Sequence, residues 1–363
     1  MAGPVRHIVL FVGLLSVCVC LLVLRVHLST DLDVIHVEHA VLMNERKIQG
    51  MNEDVYEQSE SNRLKARIEV QRKLVDEYCA RHPTLGSRLH LPSDQEQREL
   101  LYRHLLYDDL RDIMFCFVEK IGCTDMKRFM FIAAGVLPEK TASHEWVDLK
   151  YLEKGIKRAS LLNKNLTDFK RIEKVREYFK FTILRHPLER LVSGFRNKLE
   201  PPLVGQSGKF NLIKQDILQK HRNKEYQEWL KSDDSYHIAV QFSEFIDYFI
   251  EINKNTVNPH FKPYINTCHP CTIRYDFYGN FRNFGSDIQS IAEMFGLSFT
   301  WYRNKSLHST SQETRALSKT YFDQLSRDPK LKLLEVLKDD LDFYYHLYPD
   351  ERHVQEEFLN LQV

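Results

Sequence analysis

Residues 114–124 read MFCFVEKIGCT and residues 179–187 read FKFTILRHP, and these two stretches decide the fold. Met114 to Val118 is a short apolar run ending in a charged, glycine-containing turn, the pattern of a buried strand. The segment after the turn places Met126, Phe129, Met130 and Ala133 on one helical face. In the second stretch Phe179 to Leu184 is the strand and Arg185 to Pro187 the turn. Leu188, Leu191, Val192, Phe195 and Leu199 then recur at helical spacing. Pro187 suits a first helical position, where no amide donor is needed. Strands alternating with helices predict an α/β protein, a parallel sheet flanked by helices. Ligands of such sheets bind beyond the carboxyl ends of the strands, where both turns lie.

Each turn is suited to an anion. In the first, Gly122 lets backbone approach closely, Thr124 adds a hydroxyl, and the amides opening the next helix carry partial positive charge. Lys120 can reach the same anion, although a plain surface lysine is an equal reading. The lysine precedes the glycine, so this is not the G-x-x-x-x-G-K-[ST] loop of nucleoside triphosphatases. In the second turn Arg185 offers a bidentate guanidinium, and Ser193 lies two turns further on. The alternative pairs Arg185 with Glu189. Two such turns on one sheet suit a ligand with phosphates at both ends.

Outward from this centre the chain is uneven. Ile8 to Leu24 is seventeen residues without a charge, between Arg6 and Arg25. At about 1.5 Å rise per residue it is just long enough to span a bilayer. No small-residue cleavage site follows, which favours an uncleaved anchor over a signal peptide. The sequons at Asn165 and Asn304 agree with a lumenal body. From residue 27 to about 95 the chain is polar. Leu64, Ile68, Val75 and Tyr78 form a partial helical stripe interrupted by Gln71, read as a stem holding the body off the membrane. Leu334, Leu337, Leu341 and Tyr344, with Pro349 beyond them, predict a C-terminal packing helix.

Of seven cysteines, Cys18 and Cys20 fall in the apolar run. The other five are an odd number, so at least one thiol has no partner within the chain. Cys268 and Cys271 have the spacing of a zinc or redox pair, but no matching half-site exists and a structural role is preferred. Net charge is +1, yet residues 153–198 hold thirteen Lys/Arg against five Asp/Glu. That excess fits an anionic ligand or a solvated helix face.

Residues 115–128, FCFVEKIGCTDMKR, resemble the 5′-phosphosulfate loop of the Golgi carbohydrate sulfotransferases, nearest the chondroitin and dermatan 4-O-sulfotransferase group. Residues 184–198, LRHPLERLVSGFRNK, resemble that family's 3′-phosphate segment. NPHF at 258–261, CHPCTIRYDFYG at 268–279 and Asp342-Phe343 resemble its later blocks. The resemblance covers about residues 100–350. It implies the P-loop-like fold of PAPS-dependent sulfotransferases, with 3′-phosphoadenylyl sulfate (PAPS) as donor and no metal. By position, Lys120, Ile121, Gly122, Cys123, Thr124, Asp125, Lys127 and Arg128 would hold the 5′-phosphosulfate, and Arg185 and Ser193 the 3′-phosphate.

The family usually has proline where Glu119 stands and aspartate where His186 stands. Aspartate would cap the following helix better by about 1 kcal/mol. Expected roles are charge stabilisation for Lys120 and general base for His260, with His237 or a carboxylate as alternatives. The basic residues from Lys154 to Lys198, with Lys209 and Lys214, would line a groove for an anionic glycosaminoglycan or N-glycan acceptor. The implied organisation is a cytoplasmic tail (1–7), a signal anchor (8–24), a lumenal stem (25–98), the sulfotransferase domain (99–350) and a tail (351–363). That makes a single-pass type II protein of the Golgi membrane, with no nucleic-acid partner. One rival is a Golgi glycosyltransferase, which would want an Asp-x-Asp metal site. Asp31 to Asp33 lies in the stem and Asp340 to Asp342 in the C-terminal helix, both poorly placed. The other rival is a non-catalytic glycan-binding homologue.

Overall fold

The computed structural model describes residues 53–86, 90–93, 95–135, 159–203, 208–231, 238–252, 257–297 and 311–360. The apolar run 8–24, Asn304 and His237 lie outside them. Among the described residues no helix is long and apolar enough to cross a membrane.

In chain order the elements are α1 (Glu53–Arg81), α2 (Gln95–His104), β1 (Leu105–Asp108), β2 (Ile113–Cys116), α3 (Cys123–Ala133), α4 (Asp168–Glu177), β3 (Phe179–Leu184), α5 (Pro187–Lys198), α6 (Lys209–His221), α7 (Asn223–Lys231) and α8 (Phe242–Glu251). Two single-turn helices follow, α9 (Ile265–Cys268) and α10 (Pro270–Ile273), and then β4 (Phe277–Asn280), α11 (Phe284–Met294), α12 (Ser311–Phe322), α13 (Arg327–Leu347) and α14 (Arg352–Leu359).

The four strands form one sheet in the order β1-β2-β3-β4. β2, β3 and β4 are parallel, and Phe115, Phe181 and Phe277 stand in register across them. β1 departs from the expected parallel sheet, because it runs antiparallel to β2. The link between them is residues 109–112, too short for a crossover, so the chain can only turn back. Asp108 fixes that turn by accepting from the Leu110 amide (2.9 Å) and the Arg111 guanidinium (2.8 Å). Both predicted strand–turn–helix units are present. The apolar faces foreseen for α3 and α5 are buried.

The stem boundary moves. The compact body begins at Leu64 rather than near residue 99. Leu64, Ile68, Val75 and Tyr78 of α1 are buried in the core. Gln71, the polar break in their stripe, is buried too and acts as a strand neighbour. Its Nε2 donates to the Tyr278 carbonyl (2.7 Å) and its Oε1 accepts from the Tyr278 amide (3.0 Å). With the Tyr348 hydroxyl also donating to the Tyr278 carbonyl (2.6 Å) and the Asp287 carboxylate accepting from the Asn280 amide (2.8 Å), the outer edge of β4 is satisfied by side chains rather than by another strand. Cys79 of α1 is bonded to Cys271, and Cys116 at the end of β2 to Cys268. The structural role preferred for Cys268 and Cys271 over a zinc or redox pair is thus the one they have, each in a disulfide to a distant element. Cys123 is the free cysteine among the described residues.

In α13, Asp340 is buried and accepts from the amides of Tyr264 (2.9 Å) and Ile265 (3.0 Å), the open end of α9. Burial pushes its carboxyl up to about 6, against the pull of Arg190 and those amides. Its carboxylate oxygens are occupied in holding α9, which argues against a metal-binding Asp340–Asp342 pair.

Candidate active site

Three parallel strands end side by side, and the chain leaving each end builds one wall of a shared site. From β2 the backbone turns through Lys120 at φ +72° and Gly122 at φ +79° before α3 starts. A left-handed lysine is uncommon, and such strained backbone clusters at functional turns. Gly122 is required twice over. Its φ disfavours any side chain, and a Cβ built there would stand 2.9 Å from the Phe284 ring. The first amides of α3 have no acceptor inside the helix. Beside them Thr124 is exposed and Ile121 is buried in the core. Lys127 lies with its Nζ 3.7 Å above the Phe117 ring, and Arg128 is braced on Asp125 at 3.4 Å.

From β3 the chain enters the second turn. Arg185 reaches back, and its guanidinium donates to the Lys120 carbonyl at 3.0 Å. It also lies 3.8 Å from the Glu189 carboxylate and 4.6 Å above the Phe281 ring, with a fractional exposure of 6%. Burial lowers its pKa to about 10, with Glu189 opposing. The alternative reading of Arg185, pairing with Glu189, is what its contacts show, and the same side chain stands at the junction of the two turns. His186 does not cap α5. It is buried, and its Nε2 shares a hydrogen bond with the Tyr345 hydroxyl at 2.7 Å. Ser193 is half-buried on α5 with no hydrogen-bond partner among the described residues.

The third wall was missed by the sequence reading. After β4, Phe281 supports Arg185, and Arg282 bridges Glu189 (3.3 Å) and Glu351 (3.0 Å). The only signal available was Phe277-Tyr-Gly279, inside the block already noticed at 268–279. Its small residue is demanded by packing, since a Cβ on Gly279 would fall 2.4 Å from Ile183.

His260 joins this site from a turn packed on α5, where Gly194 makes room for the His260 carbonyl and the Phe261 ring. The Asn258 Oδ1 accepts from the His260 amide and also lies 3.0 Å from its Nδ1. An amide oxygen can only accept, so Nδ1 carries the proton and Nε2 keeps a lone pair. The ring is packed edge-on against Phe210 at 5.0 Å. Its pKa is lowered to about 4, first by burial, then by Lys198, Lys120 and Lys127, with Glu119 opposing. Lys120 is lowered as well, by burial and by nearby Lys198 and Arg185, against Cys123. Burial pushes the Cys123 thiol up.

Lys154 lies outside the described residues, and among those described the lysines of the basic stretch do not gather along one groove. Lys174 and Lys180 sit at the start of β3, the opposite end of the sheet, where they meet Asp109 and Asp276. Lys214 is buried and donates to the Pro201 carbonyl at 2.6 Å. Within the described part of the basic stretch, Lys198 is the lysine brought to the site, 5.0 Å from the Phe210 ring. Lys209 is exposed on α6. Asn165 is exposed in a turn, and Thr167 of its sequon caps α4.

Comparison with known proteins agrees with this architecture. Residues 103–346 match the model of the Sulfotransferase family. Carbohydrate sulfotransferase 11 of Mus musculus is 26% identical over 252 residues, 68% of either chain. Carbohydrate sulfotransferase 14 of Homo sapiens is 28% identical over 302 residues, 79% of this chain and 70% of its own. Carbohydrate sulfotransferase 8 of Homo sapiens is 28% identical over 287 residues, 76% of this chain and 60% of its own. No solved structure matches. The matched residues begin in α2, end in α13 and enclose all three strand ends, and the chain belongs to the sulfotransferase family as a divergent relative of the carbohydrate sulfotransferases.

Proposed function

We propose that this chain transfers the sulfuryl group of PAPS to a glycan hydroxyl. The first candidate is the GalNAc 4-O position of chondroitin or dermatan, or a related sugar on an anionic glycosaminoglycan or N-glycan. The observation that carries the reading is the hydrogen bond from Arg185 to the Lys120 carbonyl, which joins the two anion-suited turns into one site.

The residues fit such a donor. The α3 amides, Gly122 and the Thr124 hydroxyl form a cradle for the 5′-phosphosulfate, with Lys120, Lys127 and Arg128 supplying positive charge. Ser193 and the Arg185 turn are assigned to the 3′-phosphate. Sulfuryl transfer, like phosphoryl transfer, is mainly positioning and charge stabilisation. Lys120 offsets charge growing on the leaving oxygen, and the His260 Nε2 accepts the acceptor hydroxyl's proton. This scheme uses no metal ion.

Two disulfides and an exposed sequon support an oxidising, lumenal setting. With residues 8–24 as anchor, the proposed location is the Golgi membrane in type II orientation. Labelled PAPS offered with a panel of desulfated glycosaminoglycans, followed by disaccharide analysis, tests the activity and names the acceptor. Absence of label in every acceptor would sink it.

A second reading, a non-catalytic glycan-binding homologue, is favoured by one feature. Glu119 places a carboxylate in the donor turn, with one oxygen buried and unbonded. Calorimetry with PAP separates the two readings: micromolar binding supports an enzyme, and none at millimolar ligand supports a binding module.

A further inference from the structure

Beyond the carboxyl end of β3, two guanidinium groups meet on one carboxylate. The Arg185 Nε lies 3.8 Å from the Glu189 Oε2, and the Arg282 Nη2 donates to the Glu189 Oε1 at 3.3 Å. Arg282 enters from the turn after β4. The Asn280 side chain fixes that turn by accepting from the Arg282 amide (2.9 Å), and the Phe281 ring lies under Arg185. One residue of the turn therefore supports Arg185, and the next adds a second positive charge beside it.

The two cations differ in what they can still offer. Arg185 is buried and donates to the Lys120 carbonyl, while its Nε is buried without a hydrogen-bond partner among the described residues. The Arg282 side chain keeps 24% of its surface exposed, so it is the guanidinium that a solute reaches first. Both of its contacts with carboxylates are made through Nη2.

The second of those carboxylates comes from beyond the residues matched to the family, which end at 346. Glu351, in the single turn Pro349–Glu351 after α13, has its Oε2 3.0 Å from the Arg282 Nη2. That oxygen is buried, yet the ion pair lacks the geometry of a hydrogen bond. The turn itself is held firmly. Arg352 lies 5.1 Å above the Tyr345 ring, and Val354 and Phe358 of α14 are buried in the core.

Charge decides what this arrangement can take. A 3′-phosphate carries a charge of about −1.5 to −2 near neutral pH. Arg185 and Glu189 together are neutral. Ser193, one helical turn beyond Glu189 on the same side of α5, adds only a hydroxyl. Those groups alone would meet a phosphate with a carboxylate in their midst. Arg282 tips the balance, and its planar fork of N–H donors matches phosphate oxygens.

We propose that Arg282 is a third binding group for the 3′-phosphate of the donor, and that Glu351 is the carboxylate this phosphate displaces from it. Arg282 is then the residue that selects PAPS over a nucleotide lacking that phosphate. The proposal rests on the sulfuryl-transfer reading and its assignment of the 3′-phosphate to Arg185 and Ser193. The exchange gives up an ion pair that holds no hydrogen bond and gains charge-assisted hydrogen bonds to phosphate. Glu189 stays paired with Arg185.

The test is calorimetry on the full chain with PAP and with 5′-AMP, which differs from PAP only in lacking the 3′-phosphate. Where 5′-AMP is too weak to titrate directly, its displacement of PAP gives the constant. Thermal melting is run on each variant. Arg282→Ala should weaken PAP by about tenfold, the scale of one hydrogen bond to a charged group, and leave 5′-AMP unchanged. Arg282→Lys keeps the charge but loses the fork, so its loss should be smaller. Glu351→Gln should tighten PAP by about threefold, the scale of a partly exposed ion pair, again with 5′-AMP unchanged. If Arg282→Ala is unfolded by melting, the Lys and Gln variants decide on the same ratio.

A folded Arg282→Ala that keeps the parent's ratio of PAP to 5′-AMP affinity overturns the proposal. That holds whether both affinities stand or both fall together, and the second result makes Arg282 a structural bracket only. Unchanged or weaker PAP binding by Glu351→Gln overturns the exchange. Transfer of label by the parent in those cases leaves the proposed function standing. A parent that neither transfers label nor binds PAP removes the proposed function, and this inference with it.

Discussion

The turns after β2 and β3 sit on adjacent parallel strands and both open long helices, yet they direct their polar groups differently. The first leaves its groups outward: helix amides without acceptors, an exposed Thr124, and Lys120 and Lys127 facing His260. The second turns inward, with Arg185 on Lys120, Glu189 and Phe281, and His186 on Tyr345. The same motif on the same sheet leaves polar groups open to a ligand in one case, and in the other commits most of them to the protein, so that the proposed 3′-phosphate role of the Arg185 turn is shared with a bracing one. What separates them is burial, because a guanidinium 6% exposed has already exchanged water for protein partners.

That contrast breaks most sharply at Arg185. Arg185→Ala should destabilise the fold by roughly 3 kcal/mol, the lower end for removing one member of a buried pair, since Arg282 still meets Glu189. Urea unfolding reads it. If stability is unchanged and only the KM for PAPS rises, the second turn is a binding loop like the first. Lys120→Ala is the converse: turnover should fall by about a hundredfold or more, the scale for a preorganised charge-stabilising group, with the melting temperature unmoved. Gly122→Ala mixes both effects. Its left-handed φ costs a side chain about 1–2 kcal/mol, and the Phe284 contact adds to that. Both stability and PAP affinity should drop.

The smallest effect belongs to His186. Burial, with Arg282, Arg315 and Arg185 nearby, holds its imidazole far below the ordinary range. The unfolded chain therefore binds this proton more readily below pH about 6.5. Folding stability should fall with acidification there by up to about 1.4 kcal/mol per pH unit. His186→Asn should flatten that slope by one proton in urea titrations at pH 5 and 7. Asp340 works oppositely: its raised carboxyl, at about 6, regains stability as pH falls through that value, so the two partly cancel in the parent.

Parts of this were readable along the chain. The β2–α3 and β3–α5 units declared themselves through runs and stripes that need only near neighbours, and Pro187 and Gly122 marked their turns. β1 was hidden because Leu105-Leu-Tyr107 continues directly from α2 and carries no turn signal in front of it. Gln71 read as a flaw in a stripe, since nothing local shows that a strand edge will come to lie beside it. The basic stretch misled because charge was summed along the chain, whereas β3 carries Lys180 to one end of the sheet and Arg185 to the other.

Periodicity, turn chemistry and the ordered blocks were enough to specify an α/β member of the sulfotransferase family with a glycine turn after β2, because those features are written in residues within a turn or two of one another. Which cysteines pair, how far the body extends toward the N-terminus, and that Arg185 meets the Lys120 carbonyl and Glu189 were settled only by folding. Each depends on groups far apart in sequence being brought within a few ångströms, and burial then decides their charge and their partners.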